Sequence, residues 1–310
     1  MGIARSTLLW CSRNRWIENQ FRHRRFAKKA VSRFIPGEDV GSALGAARDL
    51  AKHHIATVVT QLGENVSSMA EAEQVTKHYL AVLDEARDLQ PRPHISVKLT
   101  QLGLDIDRAA TVSQLEQLVS HAATTNNVVW IDMEGSNYVD ITLEIHNEVR
   151  SKHDNVGVCL QAYLHRTPKD LEDLLAMGST IRLVKGAYQE PPSVAMASKR
   201  DVDAAFLDLA IKLGEHAARG APVKPGIATH DTALLAQLEK HAVERGWGKD
   251  TYEIQMLYGI RRREHLRLAA AGVPMRVLIS YGEAWFAWYV RRLAERPANV
   301  GFVLRSMLWR

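Results

Sequence analysis

Residues 156–188 read VGVCLQAYLHRTPKDLEDLLAMGSTIRLVKGAY. Two short apolar runs, VGVCLQAY and IRLVKGAY, stand on either side of TPKDLEDLLAMG, whose apolar residues recur at helical spacing. Thr167 and Pro168 are typical of the first positions of a helix, and Gly178 is typical of its end. The stretch therefore predicts a strand–helix–strand unit, from which parallel sheets are built.

The same alternation of apolar runs and amphipathic segments extends over most of the chain. Eight runs are present, namely ATVVTQLGE from Ala56, HISVKLT from His94, VVWIDME from Val128, VGVCLQAY from Val156, IRLVKGAY from Ile181, PGIATHD from Pro225, YEIQMLYG from Tyr252 and MRVLISYG from Met275. Eight strands that alternate with helices form either a closed barrel or an open doubly wound sheet. The count, a span of about 250 residues and the lack of a G-x-G-x-x-G after the first run favour the barrel. We predict an α/β fold, a (β/α)8 TIM-type barrel.

Composition excludes several classes of protein. The chain has 310 residues, of which 46% are hydrophobic and 24% charged, as in ordinary globular proteins. Its two cysteines, Cys11 and Cys159, have no CxxC spacing, which excludes a structural zinc site and a disulfide scaffold. No apolar run reaches the roughly 18 residues of a membrane-spanning helix. His and carboxylate residues show no tight spacing, so we predict no metal site.

Positive charge is concentrated at the amino-terminal end. Residues 1–35 hold nine Lys or Arg and one acid, Glu18, so this segment has a net charge of +8 and the rest of the chain −3. We predict that residues 1–50 form a basic helical arm and residues 51–310 the barrel. The arm's apolar positions allow it to pack on the barrel, and its charge would attract an anionic surface. We expect that surface to be a membrane rather than nucleic acid.

Polar side chains recur where the apolar runs end. They are Gln61, Glu64, Lys98, Asp132, Glu134, Gln161, Tyr163, Lys185, Thr229, His230, Gln255 and Tyr281. In a parallel barrel these ends lie on one face, where the loops build the active site. The pattern therefore predicts a polar site at the carboxyl-terminal end of the strands.

Three cationic positions carry chemical alternatives. A lysine inside an apolar run is costly unless it is paired or faces a polar cavity. Lys98 is therefore either the partner of a carboxylate such as Asp132 or a Schiff-base nucleophile, in which case the chain would be an aldolase-type lyase without flavin. Arg291 and Arg292 follow a cluster of aromatic residues and can form a two-pronged clamp for a carboxylate, although tandem arginines are more often solvated.

The segments SVKLTQLG, IDMEGSNY, LQAYLHRTPKDL, IRLVKGAY, GIATHD, YEIQMLYGI and ISYGEAWFAWYVRRLAERPAN resemble the proline dehydrogenase family in order and spacing. The resemblance runs from about Thr57 to Asn299. It implies a distorted (β/α)8 barrel that binds FAD non-covalently and oxidises L-proline to Δ1-pyrroline-5-carboxylate, the first step of proline catabolism to glutamate. It also implies a membrane quinone as electron acceptor, with the enzyme in the cytoplasm at the inner membrane of a bacterium or in the mitochondrion of a eukaryote.

The resemblance implies a substrate pocket with both cationic and apolar parts. Arg291 and Arg292 would bind the substrate carboxylate, and Lys98 would complete the cationic part. Tyr281 would pack against the substrate ring, and Leu257 would form part of the apolar wall.

The resemblance also implies a set of flavin-binding residues. Arg182 would lie near the flavin N5. The predicted catalytic residues are Arg182, Lys98 and Tyr281. The predicted flavin-binding residues are Asp132, Gln161, Arg182, Lys185, Gly186, Ala187, Tyr188, Thr229, His230, Gln255 and Glu295. Two positions depart from the family pattern: Asp231 stands where Asn is common, and Gln189 where bulkier or acidic residues are common. An acid beside a nucleotide phosphate is unfavourable unless it points away.

Overall fold

The structure is a computed structural model that describes residues 31–63, 65–220 and 224–286. The strands are β1 Ala56–Gln61, β2 His94–Val97, β3 Val129–Ile131, β4 Val156–Gln161, β5 Thr180–Val184, β6 Gly226–Ala228, β7 Glu253–Leu257 and β8 Met275–Tyr281. They are parallel and form a closed barrel in this order, with β8 paired to β1. The first residue of each strand lies within one residue of the start of one of the eight apolar runs. The predicted (β/α)8 barrel is therefore confirmed.

Helices cover the outside of the barrel. In the described part of the chain they are α1 Val40–Ala51, α2 Met69–Glu85, α3 Arg108–Ala123, α4 Val139–Arg150, α5 Thr167–Ala176, α6 Lys199–Ala218, α7 Thr232–Glu244 and α8 Arg262–Ala270. Two short 3-10 helices, Leu99–Leu102 and Ser136–Tyr138, follow β2 and β3. None of the helices in the described ranges is both long and apolar enough to cross a lipid bilayer.

The first helix, α1, packs on the barrel ahead of β1. Asp39 caps it, since its carboxylate accepts a hydrogen bond from the Ser42 backbone N at 2.8 Å. The helix buries Ala43, Leu44 and Ala47 and lies against β1 and β8, where a regular barrel places the helix that follows β8. The domain boundary predicted after residue 50 falls inside this helix. Residues 1–30 of the predicted arm lie outside the described residues.

The two faces of the strands differ in chemistry. Alternate side chains of a strand point to opposite faces, and one face packs against the helices in a continuous apolar core that includes Ile95, Ile131, Leu183, Val277 and Ile279. The other face lines the barrel interior and is largely polar; it includes His94, Ser96, Trp130, Arg182, Glu253, Gln255 and Arg276. Burial of the outward face stabilises the fold, which leaves the interior available for a polar site.

A buried histidine on α4 makes the stability of the fold depend on pH. His146 is fully buried, and burial lowers its pKa to about 4. The imidazole of the unfolded chain has a pKa of about 6.5, so between these values only the unfolded state binds the proton. The free energy of unfolding therefore falls as the pH decreases from 6.5 to 4.

We expect His146→Leu to remove this contribution. The difference in free energy of unfolding between pH 7 and pH 5 should shrink by about 2 kcal/mol in the variant. Urea unfolding of both proteins at the two pH values measures it. An equal pH dependence in both would show that His146 does not titrate on unfolding.

Candidate active site

Arg182, on β5, is only 3% exposed. Its guanidinium contacts side chains from β2, from β7 and from the residue that follows β3. Its Nη1 donates to Asp132 Oδ1 at 2.9 Å and to Ser96 Oγ at 3.1 Å, and its Nε donates to Gln255 Oε1 at 2.7 Å. The guanidinium carbon lies 4.4 Å from the centre of the Trp130 ring. Charge-assisted hydrogen bonds and the ring contact therefore restrain the guanidinium in a low-dielectric interior.

Two buried polar atoms on β4 and β5 have no hydrogen-bond partner among the described residues. They are Arg182 Nη2 and Gln161 Oε1, a donor and an acceptor on adjacent strands. An unpaired buried polar group costs about 1–3 kcal/mol, so the pair fits a bound molecule that offers both an acceptor and a donor. The edge of a flavin isoalloxazine ring, with N5 and O4 as acceptors and N3–H as donor, has this combination.

Lys98 and Asp132 follow the ends of β2 and β3. Lys98 Nζ lies 3.7 Å from Asp132 Oδ2, and both side chains are less than one-fifth exposed. Asp132 therefore lies between two cations, Lys98 and Arg182. Of the two interpretations of Lys98, the ion pair is the one that the structure contains.

The loop after β5 passes close to a tyrosine ring. Gly186 has a φ of +121°, and a Cβ at this position would lie 2.2 Å from the ring of Tyr163. Only glycine can adopt this backbone so near the ring. Tyr188 is half-buried, whereas Ala187 and the departing residue Gln189 are exposed. The loop thus offers backbone groups, rather than the Gln189 side chain, to a ligand at this end of the barrel.

Asp231 is the other residue that departs from the family pattern. A lysine and the start of a helix compensate the negative charge of its carboxylate. Its Oδ2 lies 3.1 Å from Lys185 Nζ, and its Oδ1 accepts from the Ala233 backbone N at the start of α7 at 3.2 Å. Although partial burial acts in the opposite direction, these contacts with Lys185 lower the pKa of Asp231. Lys185 also pairs with Asp203 on α6. A cavity of about 390 Å³ lies beside this cluster, lined in part by Lys199, Asp203 and Asp231.

The ends of β6 and β7 are tied together by a histidine. His230 Nε2 accepts a hydrogen bond from the Leu257 backbone N at 2.8 Å, so this ring nitrogen carries no proton. Thr229 is buried, and its Oγ1 accepts from the Asp231 backbone N at 3.1 Å. His230 therefore holds the loop after β6 against the end of β7, and Thr229 forms a hydrogen bond within that loop.

The structure does not bring Tyr281 to the other predicted site residues. It lies on the same face of β8 as Val277 and Ile279 and packs in the outer core. Its hydroxyl oxygen lies 2.7 Å from His78 Nε2 on α2. This position does not support the predicted packing of Tyr281 against a substrate ring. The apolar residue of β8 that faces the interior is Leu278, which is paired in register with Leu257.

Sequence reasoning missed Leu278 although the strand contains the signal. Arg276 must face the polar interior, and alternate residues share a face. Leu278 therefore faces inward and Tyr281 outward. Leu257 and Leu278 are half-buried and paired in register, so they form an apolar patch in the largely polar interior. Arg291, Arg292 and Glu295 lie outside the described residues, and their roles stay predictions.

Comparison with known proteins agrees with this combination of fold and polar interior. A family model described as "Proline dehydrogenase" matches residues 43–305. The chain belongs to the proline dehydrogenase family. Proline dehydrogenase 2 of Bacillus subtilis subsp. natto is 35% identical over 309 residues, which cover 99% of each chain. Proline dehydrogenase of Deinococcus radiodurans is 34% identical over 288 residues, or 90% of each chain.

A solved structure shows the same fold within a longer protein. Proline utilization A from Bdellovibrio bacteriovorus, inactivated by N-propargylglycine, superposes with a TM-score of 0.79 at 22% identity. The match covers 93% of this chain and 37% of that chain. Membership of the proline dehydrogenase family makes the protein an oxidoreductase that oxidises proline in proline catabolism.

Proposed function

We propose that this enzyme oxidises L-proline to Δ1-pyrroline-5-carboxylate with non-covalently bound FAD, and that the electrons then pass to a membrane quinone. Amino-acid side chains do not accept a hydride, so the reaction needs a redox cofactor. The observation that carries the proposal is a buried donor, Arg182 Nη2, and a buried acceptor on the adjacent strand, Gln161 Oε1, neither of which has a partner among the described residues. This donor and acceptor match the hydrogen-bonding edge of a flavin.

The chain's own residues would hold the cofactor and set its electrostatic environment. FAD, when bound, supplies the two-electron acceptor. Arg182 places a positive charge in an interior from which water is excluded, where it stabilises negative charge strongly. Asp132 and Gln255 keep the guanidinium oriented. Further binding groups would be Gln161, Lys185, the backbone of residues 186–188, Thr229, His230 and Glu295.

The substrate would be bound by cations and by an apolar patch. Lys98, with Arg291 and Arg292, would bind the proline carboxylate, and Leu257 and Leu278 would contact the ring. Holding the reacting carbon against the flavin converts an encounter in solution into an oriented, effectively unimolecular step. Asp132 is paired with both Lys98 and Arg182, so these three groups together have a formal charge of +1, which favours the carboxylate of the substrate.

Absorbance spectroscopy tests the proposal directly. The protein supplied with FAD should be yellow after removal of free flavin, and L-proline without oxygen or nicotinamide should bleach it. D-proline serves as the control for a specific pocket. Persistent failure to take up FAD would refute the flavin assignment. A Schiff-base lyase would instead bind no flavin, and borohydride with a carbonyl substrate would trap it at Lys98.

We further propose that the basic arm holds the enzyme at an anionic membrane, which would place it at the inner membrane in a bacterial cell or in the mitochondrion in a eukaryotic one. Residues 1–30 contain eight Lys or Arg. Each basic residue near an anionic surface contributes about 1 kcal/mol to binding, and salt weakens it. A quinone dissolved in that membrane would then be within reach.

Deletion of residues 1–30 should abolish salt-sensitive binding to phosphatidylserine vesicles but leave proline oxidation with a soluble dye intact. The cut precedes Val31 because Val31 and Ile35 are buried. A second test variant changes charge alone and should also lose binding. In it, Gln replaces Arg22, Arg24, Arg25, Lys28 and Lys29. Vesicle sedimentation as strong as that of the parent, in both variants, would refute the membrane role.

A further inference from the structure

A second ion pair lies in the barrel interior, on β7 and β8. Arg276 Nε donates to Glu253 Oε1 at 2.7 Å, and Arg276 Nη1 donates to the Thr57 backbone O at 2.9 Å. The two side chains are 11% and 15% exposed. We call these two residues the interior ion pair. A buried ion pair is often no more stable than apolar residues of the same volume, so general stability does not account for it.

Gln255 connects the interior ion pair to Arg182. Its Nε2 donates to Glu253 Oε1 at 2.9 Å, while its Oε1 accepts from Arg182 Nε at 2.7 Å. If the amide were reversed, its NH2 group would face the Arg182 N–H and its oxygen would face the Glu253 carboxylate. Glu253, together with the Arg182 N–H, therefore favours the orientation in which the amide oxygen faces Arg182.

The space around this amide is also restricted. A Cβ on Gly226 would lie 2.4 Å from Gln255 Nε2. The lack of a side chain at residue 226 thus leaves room for the amide next to Glu253. The amide is packed as well as hydrogen-bonded.

Two points hold the planar guanidinium of Arg182. Asp132 and Ser96 accept from Nη1, and Gln255 accepts from Nε. These two points define the plane of the guanidinium. Its third nitrogen, Nη2, has no hydrogen-bond partner among the described residues. Without the acceptor at Nε, the guanidinium could pivot about Nη1.

We propose that Glu253 and Arg276 are positioning residues: the interior ion pair orients the Gln255 amide, which holds the Arg182 guanidinium with Nη2 free for the flavin. Arg276 has a second effect, since it balances the negative charge of Glu253, which would otherwise offset the charge of Arg182. The flavin part of this inference rests on the proposed function. The orientation of Gln255 and Arg182 does not, and it can be measured without flavin.

The test variant is Glu253→Leu combined with Arg276→Leu, which leaves neither charge buried alone. Its matched control is Arg166→Leu combined with Asp170→Leu, which removes an ion pair of 2.8 Å outside the barrel. In the flavin-free protein, NMR follows the Arg182 Nε–H signal, assigned by its loss in Arg182→Lys. Exchange of this proton with water should be at least tenfold faster in the test variant and unchanged in the control. Equal exchange in the parent and the test variant would overturn the positioning role.

The flavin-loaded protein gives a second readout. The test variant should shift the two-electron reduction equilibrium of the flavin about tenfold toward the oxidised form, which corresponds to a midpoint potential about 30 mV lower. In an Arg182→Lys background, the same double substitution should cause no further shift, because the pair acts through Arg182. A lower melting temperature with an unchanged potential would mean that the pair is only structural. If no variant takes up flavin, the proposed function fails, and the exchange measurement still decides the inference.

Discussion

Arg182→Met should slow the reduction of the bound flavin by proline about 10²- to 10³-fold, the usual effect of removing a preorganised group that stabilises developing charge. The guanidinium is 3% exposed and held by Asp132, Ser96 and Gln255. Methionine fills similar space without charge, so negative charge on the reduced flavin loses its neighbouring cation. Anaerobic stopped-flow spectroscopy at saturating proline measures the rate constant.

Two comparisons separate this effect from a loss of folding. Arg182→Lys retains a charge near Asp132 but not the planar set of donors, so its rate should lie between those of the parent and Arg182→Met. Arg166→Met removes an arginine outside the barrel and should leave the rate unchanged. If Arg182→Met retained its flavin and reduced it at the parent rate, Arg182 would have no catalytic role.

Arg291→Met and Arg292→Met should each raise the KM for proline about 10- to 150-fold. This range corresponds to the loss of one charge-assisted hydrogen bond to the substrate carboxylate, worth about 1.5–3 kcal/mol. The flavin content should remain unchanged, because the clamp contacts the substrate. Steady-state kinetics with a soluble dye, together with the flavin-to-protein absorbance ratio, measure both quantities.

Arg261→Met is the matched control for this pair. Arg261 is an exposed arginine that precedes α8, at the same end of the barrel as the predicted site. Its loss should leave the KM unchanged if the clamp is specific. Parent-like KM values in both Arg291→Met and Arg292→Met would exclude the clamp and leave Lys98 as the carboxylate ligand to test next.

The fold was predictable because each strand has a local signal. An apolar run bounded by turn residues and followed by a helical repeat identifies a βα unit, and eight such units leave few architectures. The same logic placed Lys98, Asp132 and Gln255 near one another, since parallel strands bring their ends to one face. The ion pair between Lys98 and Asp132 was one of two alternatives that sequence left open.

The orientation of individual side chains was harder to predict. Tyr281 ends β8, and the resemblance to the family implies contact with the substrate ring, yet alternation along the strand places it against His78 on α2. The interior ion pair has no such signal, because Glu253 and Arg276 stand at the beginnings of their strands, away from the carboxyl ends where active-site residues of a barrel are expected. Their importance depends on a contact through Gln255, which no short sequence pattern encodes.

The sequence by itself determined the class of fold and the family, because apolar periodicity and motif order are properties of the chain read in one dimension. Only the tertiary structure decided which side chains meet: the closure of β8 on β1 and the stagger between neighbouring strands set the partners of Arg182. A shift of one residue in the register of a strand would have turned the polar face of that strand toward the helices. The three-dimensional packing of the outer core excludes that arrangement, and so it selects the polar interior in which Arg182 lies.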